Sequence, residues 1–428
     1  MRNKLKLILL LMLIVPCMFL FVACGKGNGN NTEFYSEGLA YELSGDETYY
    51  IVLGIGSCVD SKVVIPSTYK NKPVKEIKAK AFLECDNLTS INIPDSVTSI
   101  GDSAFGGCNN LQEITLPFVG RSKTKDTFLG YLFGASESTE NSKYVPKSLK
   151  KVTITKATSI GAFAFSGCSS LTSITIGNSV TSIGWYAFED CSSLTSITIP
   201  NSVTSIRSYA FSGCSSLQYN IYDNAKYLGN NYNPYLVLVE AINKDIINCT
   251  INSNIKIICS YAFSGCESLT RITIPNSVKS IGEHSFYKCS SLARITIPNN
   301  VESIGDGVFA CCKDLTDVTI SNSVISIGDS AFAGCSNLTR ILLSQNARFI
   351  GKNAFSGCES LTSITIPNSV ISIEKDAFNR CSSLEFVKFE NPYGWKAGSN
   401  SIPRLSSPST AARYLRDSYC YLKWTRYA

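Results

Sequence analysis

Of the side chains able to do chemistry, cysteine recurs at a fixed interval and histidine does not recur at all. Cys168, Cys191 and Cys214 are 23 residues apart, as are Cys85 and Cys108, and as are Cys266, Cys289, Cys312, Cys335, Cys358 and Cys381. The chain has 18 cysteines and a single histidine, His284. Thiols in such number could form disulfides, hold zinc or act as nucleophiles. The register argues for a fourth role. Eleven cysteines share one slot, three residues after a Phe and three before a Leu. They read as small buried hydrophobes, stacked one per coil as free thiols. Stacked neighbours about 5 Å apart would point in parallel, which is poor geometry for a bridge. Structural zinc wants C-x-x-C pairs or His partners that this sequence lacks, so neither a metal nor a cofactor is expected. Cys58, Cys249, Cys259, Cys311 and Cys420 lie off the slot, and a bridge among them stays open.

The second recurrent group is cationic. Two residues after the repeated Leu stand Ser90, Glu113, Lys151, Ser173 and Ser196, then Arg271, Arg294, Asp317, Arg340 and Ser363. Four residues after it stand Thr115, Thr153, Thr175, Thr198, Thr273, Thr296, Thr319 and Thr365. An arginine stripe with one aspartate, bordered by hydroxyls, could grip carboxylates or sulfates bidentately. The plainer alternative is solvated charge between strand-forming threonines. Catalysis has little to work with. His284 falls at a turn position where a surface side chain is expected, acidic residues single out no pair, and no P-loop, dinucleotide or zinc-protease motif occurs. The chain is therefore not expected to be an enzyme.

These positions are set by eleven copies of a 23-residue phrase, clearest at residues 171–193, LTSITIGNSVTSIGWYAFEDCSS, and 361–383, LTSITIPNSVISIEKDAFNRCSS. Leu171, Ile174 and Ile176 alternate inward from a short strand, with Ser173 and Thr175 outward. Asn178 and Ser179 turn the chain, and Pro200, Pro275, Pro298 and Pro367 end the corresponding strands. Val180 and Ile183 re-enter the core, Gly184 bends the chain, and Ala187, Phe188 and Cys191 close the coil by a short helical or irregular turn. The predicted fold is a solenoid with a parallel sheet on one face and irregular segments on the other, each unit burying its apolar face only against its neighbours.

The units S-V-x-x-I-G-x-x-A-F-x-x-C-x-x-L-x-x-I-x-I-P, seen uninterrupted at residues 277–298, resemble the BspA-type leucine-rich-repeat family of bacterial surface proteins. The resemblance spans Ala81 to Glu390, roughly 310 of 428 residues. It implies a leucine-rich-repeat solenoid, surface display, and adhesion to host proteins or other cells.

Two intervals break the register, 60 residues from Cys108 to Cys168 and 52 from Cys214 to Cys266. The excess falls in residues 117–147, with Phe128, Tyr131 and Phe133, and in 217–259, with Tyr222, Tyr227 and Tyr232. Solenoid insertions map to loops on one face, often a binding face, and tyrosine makes good contact area. The favoured reading is that these aromatics fill an irregular coil, with partner contact as the alternative. Residues 34–80 read as an N-terminal cap, 81–390 as the solenoid and 391–428 as a C-terminal cap whose aromatic cluster packs the end; 401–410 reads as a loop.

The N-terminus has its own pattern. Arg2, Lys4 and Lys6 precede the apolar run 7–22, too short for comfortable spanning, and Phe21-Val22-Ala23-Cys24 resembles a bacterial lipobox. Residues 1–23 thus read as a lipoprotein signal peptide, Cys24 as the lipidated residue and 24–33 as a flexible Gly/Asn-rich tether. Without that leader the formal charge falls from +6 to +3. That charge is too small and dispersed for nucleic acid. The expected protein is exported and lipid-anchored at a bacterial cell surface, where it binds extracellular proteins or glycans. Adhesion to host matrix or other cells leads; capture of anionic polysaccharide and a passive envelope role are the alternatives.

Overall fold

The computed structural model describes residues 35–125, 127–402 and 405–427. The leader, Cys24 and the tether lie outside them. Among the described residues no helix is long and apolar enough to cross a membrane.

The 23-residue period becomes a stack of coils in register. Ser173–Ile176 pairs in parallel with Lys151–Ile154 on one side and Ser196–Thr198 on the other, Ser173 opposite Ser196. One six-stranded sheet runs from Lys62–Val64 to Ser196–Thr198, and a five-stranded sheet from Arg294–Ile297 to Phe386–Phe389. Because the register offset equals the repeat length, each repeat position becomes a column. A second, two-residue strand per coil, such as Ser182–Ile183, forms narrower parallel ladders of its own.

The closing turn is irregular rather than helical, and it is laddered too. Tyr186 and Asp190 have φ of 55° and 53°, a left-handed conformation costing roughly 1–2 kcal/mol in a non-glycine residue. It aims alternate N–H groups at the next coil. Tyr186, Phe188 and Asp190 donate to the carbonyls of Ser208, Ala210 and Ser212 at 3.2, 2.8 and 2.8 Å. Their counterparts Tyr261, Phe263 and Gly265 donate to Glu283, Ser285 and Tyr287 in the same way. These bonds offset the local strain and satisfy groups that burial would otherwise orphan.

Inside, the repeated phenylalanines form face-to-face columns. Phe286, Phe309, Phe332 and Phe355 lie 5.4–5.5 Å apart, with rings within 17° of parallel. Beside them runs the thiol column. Cys191, Cys289, Cys312 and Cys335 each donate at 3.2 Å to the carbonyl of the Phe 26 residues earlier, in the preceding coil. Cysteine suits this slot as the small side chain that fills an apolar space and still satisfies a backbone acceptor. All described cysteines are free, those off the ladder included. Desolvation holds the Cys335 and Cys358 thiols well above their ordinary range and pushes Cys312 and Cys381 up to about 12.

The two insertions are accommodated differently. After the first, Lys151–Ile154 pairs directly on Glu113–Leu116. The insertion's helical turn Leu129–Phe133 takes the place of a closing turn: the N–H groups of Ser103 and Phe105 donate to the carbonyls of Tyr131 and Leu132, and that of Leu129 to Ala164. The wholly buried Asn141 locks it, accepting from the Gly130 N–H at 2.8 Å and donating to the Phe163 carbonyl at 3.1 Å. The second insertion breaks the main sheet. Its strands Asn220–Tyr222, Ala225–Leu228 and Val237–Ala241 form an antiparallel meander, and only Val237–Ala241 joins the solenoid, beside Ile257–Ile258. The core divides here into two clusters, to which the insertion contributes on both sides.

At the N-terminal end, Ala40–Leu43 and Tyr50–Gly54 form a hairpin on the first coil. At the other end, Trp424–Arg426 runs antiparallel to Ser372–Ile373, and Trp395 and Trp424 pack on Phe389 at 5.2 and 6.2 Å. The loop expected over 401–410 is corrected: Asn400–Ser401 is a strand, and Pro408–Arg413 is a helix begun by a proline, whose missing N–H costs nothing in a first turn.

Candidate functional site

The outward columns of the parallel sheet place the expected stripe on one surface. Arg294 lies opposite Asp317, Asp317 opposite Arg340, and Arg340 opposite Ser363. Arg271 heads the column one coil earlier, and all four charged side chains are exposed. Strand spacing puts Arg294 and Arg340 about 10 Å apart, two rungs of the ladder. Among the described residues none of the four makes an ion pair, whereas Lys151 and Glu113 on the first sheet approach to 3.8 Å. Between Arg271–Thr273 and Arg294–Ile297 the ladder opens into an open trough of about 450 Å³, lined by Thr270, Arg271, Thr273, Arg294 and Thr296. Thr273, Thr296 and Thr319 flank the arginines as the sequence indicated, but Leu342 interrupts their column and is 60% exposed.

The insertion aromatics part company. Phe128, Phe133 and Tyr227 are core residues, and the Tyr227 hydroxyl accepts the Asn252 N–H at 3.2 Å. They complete irregular coils and offer no ring to a partner. Tyr131 is half-buried against Phe128 at 6.2 Å. Tyr222 is exposed at the meander's tip, and Tyr232 is 96% exposed.

His284 is corrected. It is half-buried, with its ring 5.2 Å from Tyr261 and 6° from parallel, and its Nδ1 has no hydrogen-bond partner. It ends a column that sequence reasoning missed: Phe163, Tyr186, Tyr209, Tyr261 and His284, stacked at 4.9–5.2 Å. The signal was available, since each ring immediately precedes the Ala-Phe or Ser-Phe of its repeat. Mutual stacking hides the faces of these rings and leaves edges and hydroxyls outermost.

The same column crosses the second register break, where the structure holds a pocket of about 440 Å³. Phe211, Cys214, Val239 and Cys259 line it, together with Tyr219, Tyr209 and Tyr261. Two ion pairs sit at its rim, Lys226–Glu240 at 2.8 Å and Arg207–Glu283 at 3.6 Å; the Ser208 hydroxyl also donates to Glu283. Burial pushes the Cys214 and Cys259 thiols up to about 12, and burial with the nearby Glu240 raises Tyr219. Among the described residues no group of three His, Cys, Asp or Glu side chains is arranged to hold a metal.

A single-coil repeat of this length, with exposed columns and a laddered closing turn, defines a leucine-rich-repeat solenoid. The chain belongs to the family described as the BspA type leucine rich repeat region, matched in six copies over residues 62–131, 137–232, 242–358 and 304–396. No curated protein matches it. Similar solved structures include a leucine rich cell surface protein from Faecalibacterium prausnitzii, 25% identical, covering 85% of this chain and 96% of that one with a TM-score of 0.33. A leucine-rich repeat protein from Bacteroides ovatus is 25% identical over 83% and 94%, with a TM-score of 0.32. One from Eubacterium ventriosum is 22% identical over 86% and 97%, with a TM-score of 0.37.

Proposed function

We propose that this chain is a surface lipoprotein, anchored through Cys24, that binds extracellular proteins in the manner of an adhesin and is not an enzyme. The observation that carries the reading is the column Arg271, Arg294, Asp317 and Arg340: three exposed guanidiniums, Arg294 and Arg340 two rungs apart on one sheet and Arg271 on the strand across the trough, without intramolecular ion pairs among the described residues. A rigid row of forked donors suits carboxylates spaced along an acidic protein surface. Family membership supports the scaffold part of the reading. The trough between Arg271 and Arg294, with threonine hydroxyls beside the charges, favours a second reading in which the ligand is an anionic glycan.

Both readings are tested by applying residues 25–428 to an array of matrix proteins and glycans at low and high salt. The expected result is binding to a defined ligand that weakens as salt shortens the Debye length below about 8 Å. Replacing Arg271, Arg294 and Arg340 together with Ala should weaken it about tenfold or more. An empty array would leave the passive envelope role. For the anchor, metabolic labelling with an alkyne fatty acid should mark the full-length protein and fail with Cys24→Ala.

A further inference from the structure

The closing turn at residues 207–214 lacks the neighbour that every interior turn around it has. In the turns before and after it, three alternate N–H groups donate to carbonyls of the next coil: Phe163, Phe165 and Gly167; Tyr186, Phe188 and Asp190; Tyr261, Phe263 and Gly265; His284, Phe286 and Lys288. The equivalent groups here are those of Tyr209, Phe211 and Gly213, and among the described residues none of the three donates to a protein acceptor. The first insertion keeps two of its three donors paired by supplying Tyr131 and Leu132, whereas the second diverts its chain into the meander and supplies nothing. The unpaired row borders the pocket of about 440 Å³. Along the same wall the Phe column stops at Phe211, which stacks on Phe188 at 5.6 Å and lies 9% exposed.

We propose that this pocket is a docking site for an extended peptide segment of a partner protein, which supplies the missing rung of the turn ladder. Backbone donors at alternate residues match the carbonyls of an extended chain better than they match a single anion, because the neighbouring turns satisfy the same donors with alternate residues of the next turn. The rim charges are already paired, which selects a neutral segment. Phe211, Cys214 and Val239 favour an apolar or aromatic side chain at its centre, continuing the interrupted Phe column. The inference rests on the scaffold reading and gives that scaffold a second site, distinct from the arginine stripe.

The probe is a blocked hexapeptide of sequence SYAFSG, which residues 208–213 and 260–265 both carry. Titrated into the full-length mature protein, it should bind saturably and slow amide exchange at Tyr209, Phe211 and Gly213. Changing its Phe to Ala should weaken binding about tenfold. Val239→Trp, which fills the pocket, should abolish binding, while Arg294→Ala should leave it unchanged. Absence of binding, absence of protection at the three amides, or equal affinity for Val239→Trp overturns the proposal. The array assay separates this from the reading above: ligand binding kept in Val239→Trp leaves the stripe standing alone. Peptide binding with an empty array leaves the pocket standing alone.

Discussion

At the scale of single residues, the ladder cysteine is a hydrogen-bond donor in a hydrophobic slot. Cys312, Cys335 and Cys358 reach the carbonyls of Phe286, Phe309 and Phe332 at 3.2–3.3 Å while wholly buried. Burial raises the folded thiol above its ordinary value of about 9, so the folded state keeps a proton that the unfolded chain releases. This contribution to stability is complete below pH 9 and is lost as the pH rises towards 12. The urea midpoint should therefore fall above pH 9, each ladder thiol withdrawing about 1.4 kcal/mol per pH unit. Replacing Cys312, Cys335 and Cys358 together with Ala should flatten that slope and, near neutral pH, cost about 1–2 kcal/mol per site. The slot and its burial could be read from the 23-residue spacing. The carbonyl partner could not, because it depends on how one coil sits on the next.

At the scale of the element, the closing turn explains why aromatic and polar residues tolerate left-handed backbone. Gly307, at φ 58°, is the glycine of a slot that holds Tyr261 and His284 in the two coils before it. A Cβ there would stand 2.5 Å from the His284 ring, so the glycine is where the aromatic column ends and the imidazole lies down. Gly307→Ala should cost about 1–2 kcal/mol in thermal or urea unfolding. Combining it with His284→Ala should recover part of that loss, a coupling readable by a double-mutant cycle. Strands, inward alternation and outward columns followed directly from the repeat, as Arg294, Asp317 and Arg340 illustrate. The turn did not, because propensity disfavours its left-handed residues and only inter-coil hydrogen bonds hold them there. His284 was misjudged for the same reason, its burial coming from a neighbouring coil's glycine rather than from its own repeat.

At the scale of the whole molecule, a solenoid must close its two apolar ends. The C-terminal segment does so by laying Trp424–Arg426 across Ser372–Ile373 and seating two tryptophans on Phe389. A chain ending after residue 390 should expose that face and the free edge of Ser372–Ile373. It should elute as oligomers in size-exclusion chromatography with light scattering, whereas the chain running to residue 428 should show no association through that face. The aromatic composition of 391–428 suggests packing against the last coil. Its helix was hidden behind a Ser/Pro-rich stretch whose composition suggests a loop. The second register break was visible as a 52-residue interval, yet its consequence, a row of unpaired donors over a pocket, required knowing where the meander goes.

That break has a mechanical meaning as well. Between Ser196–Thr198 and Asn248–Thr250 the main sheet has no continuous ladder, and the core changes from one cluster to another. Tension applied between the two ends would run along the stack of coils. It would cross the gap through the Tyr209–Tyr261 stack, the Arg207–Glu283 pair and the Ser208–Glu283 hydrogen bond, with no rung of the main sheet beside them. Under such a pull the two packed cores would act as springs in series, coupled across that gap. A pull that parts the coupling would leave each spring coiled.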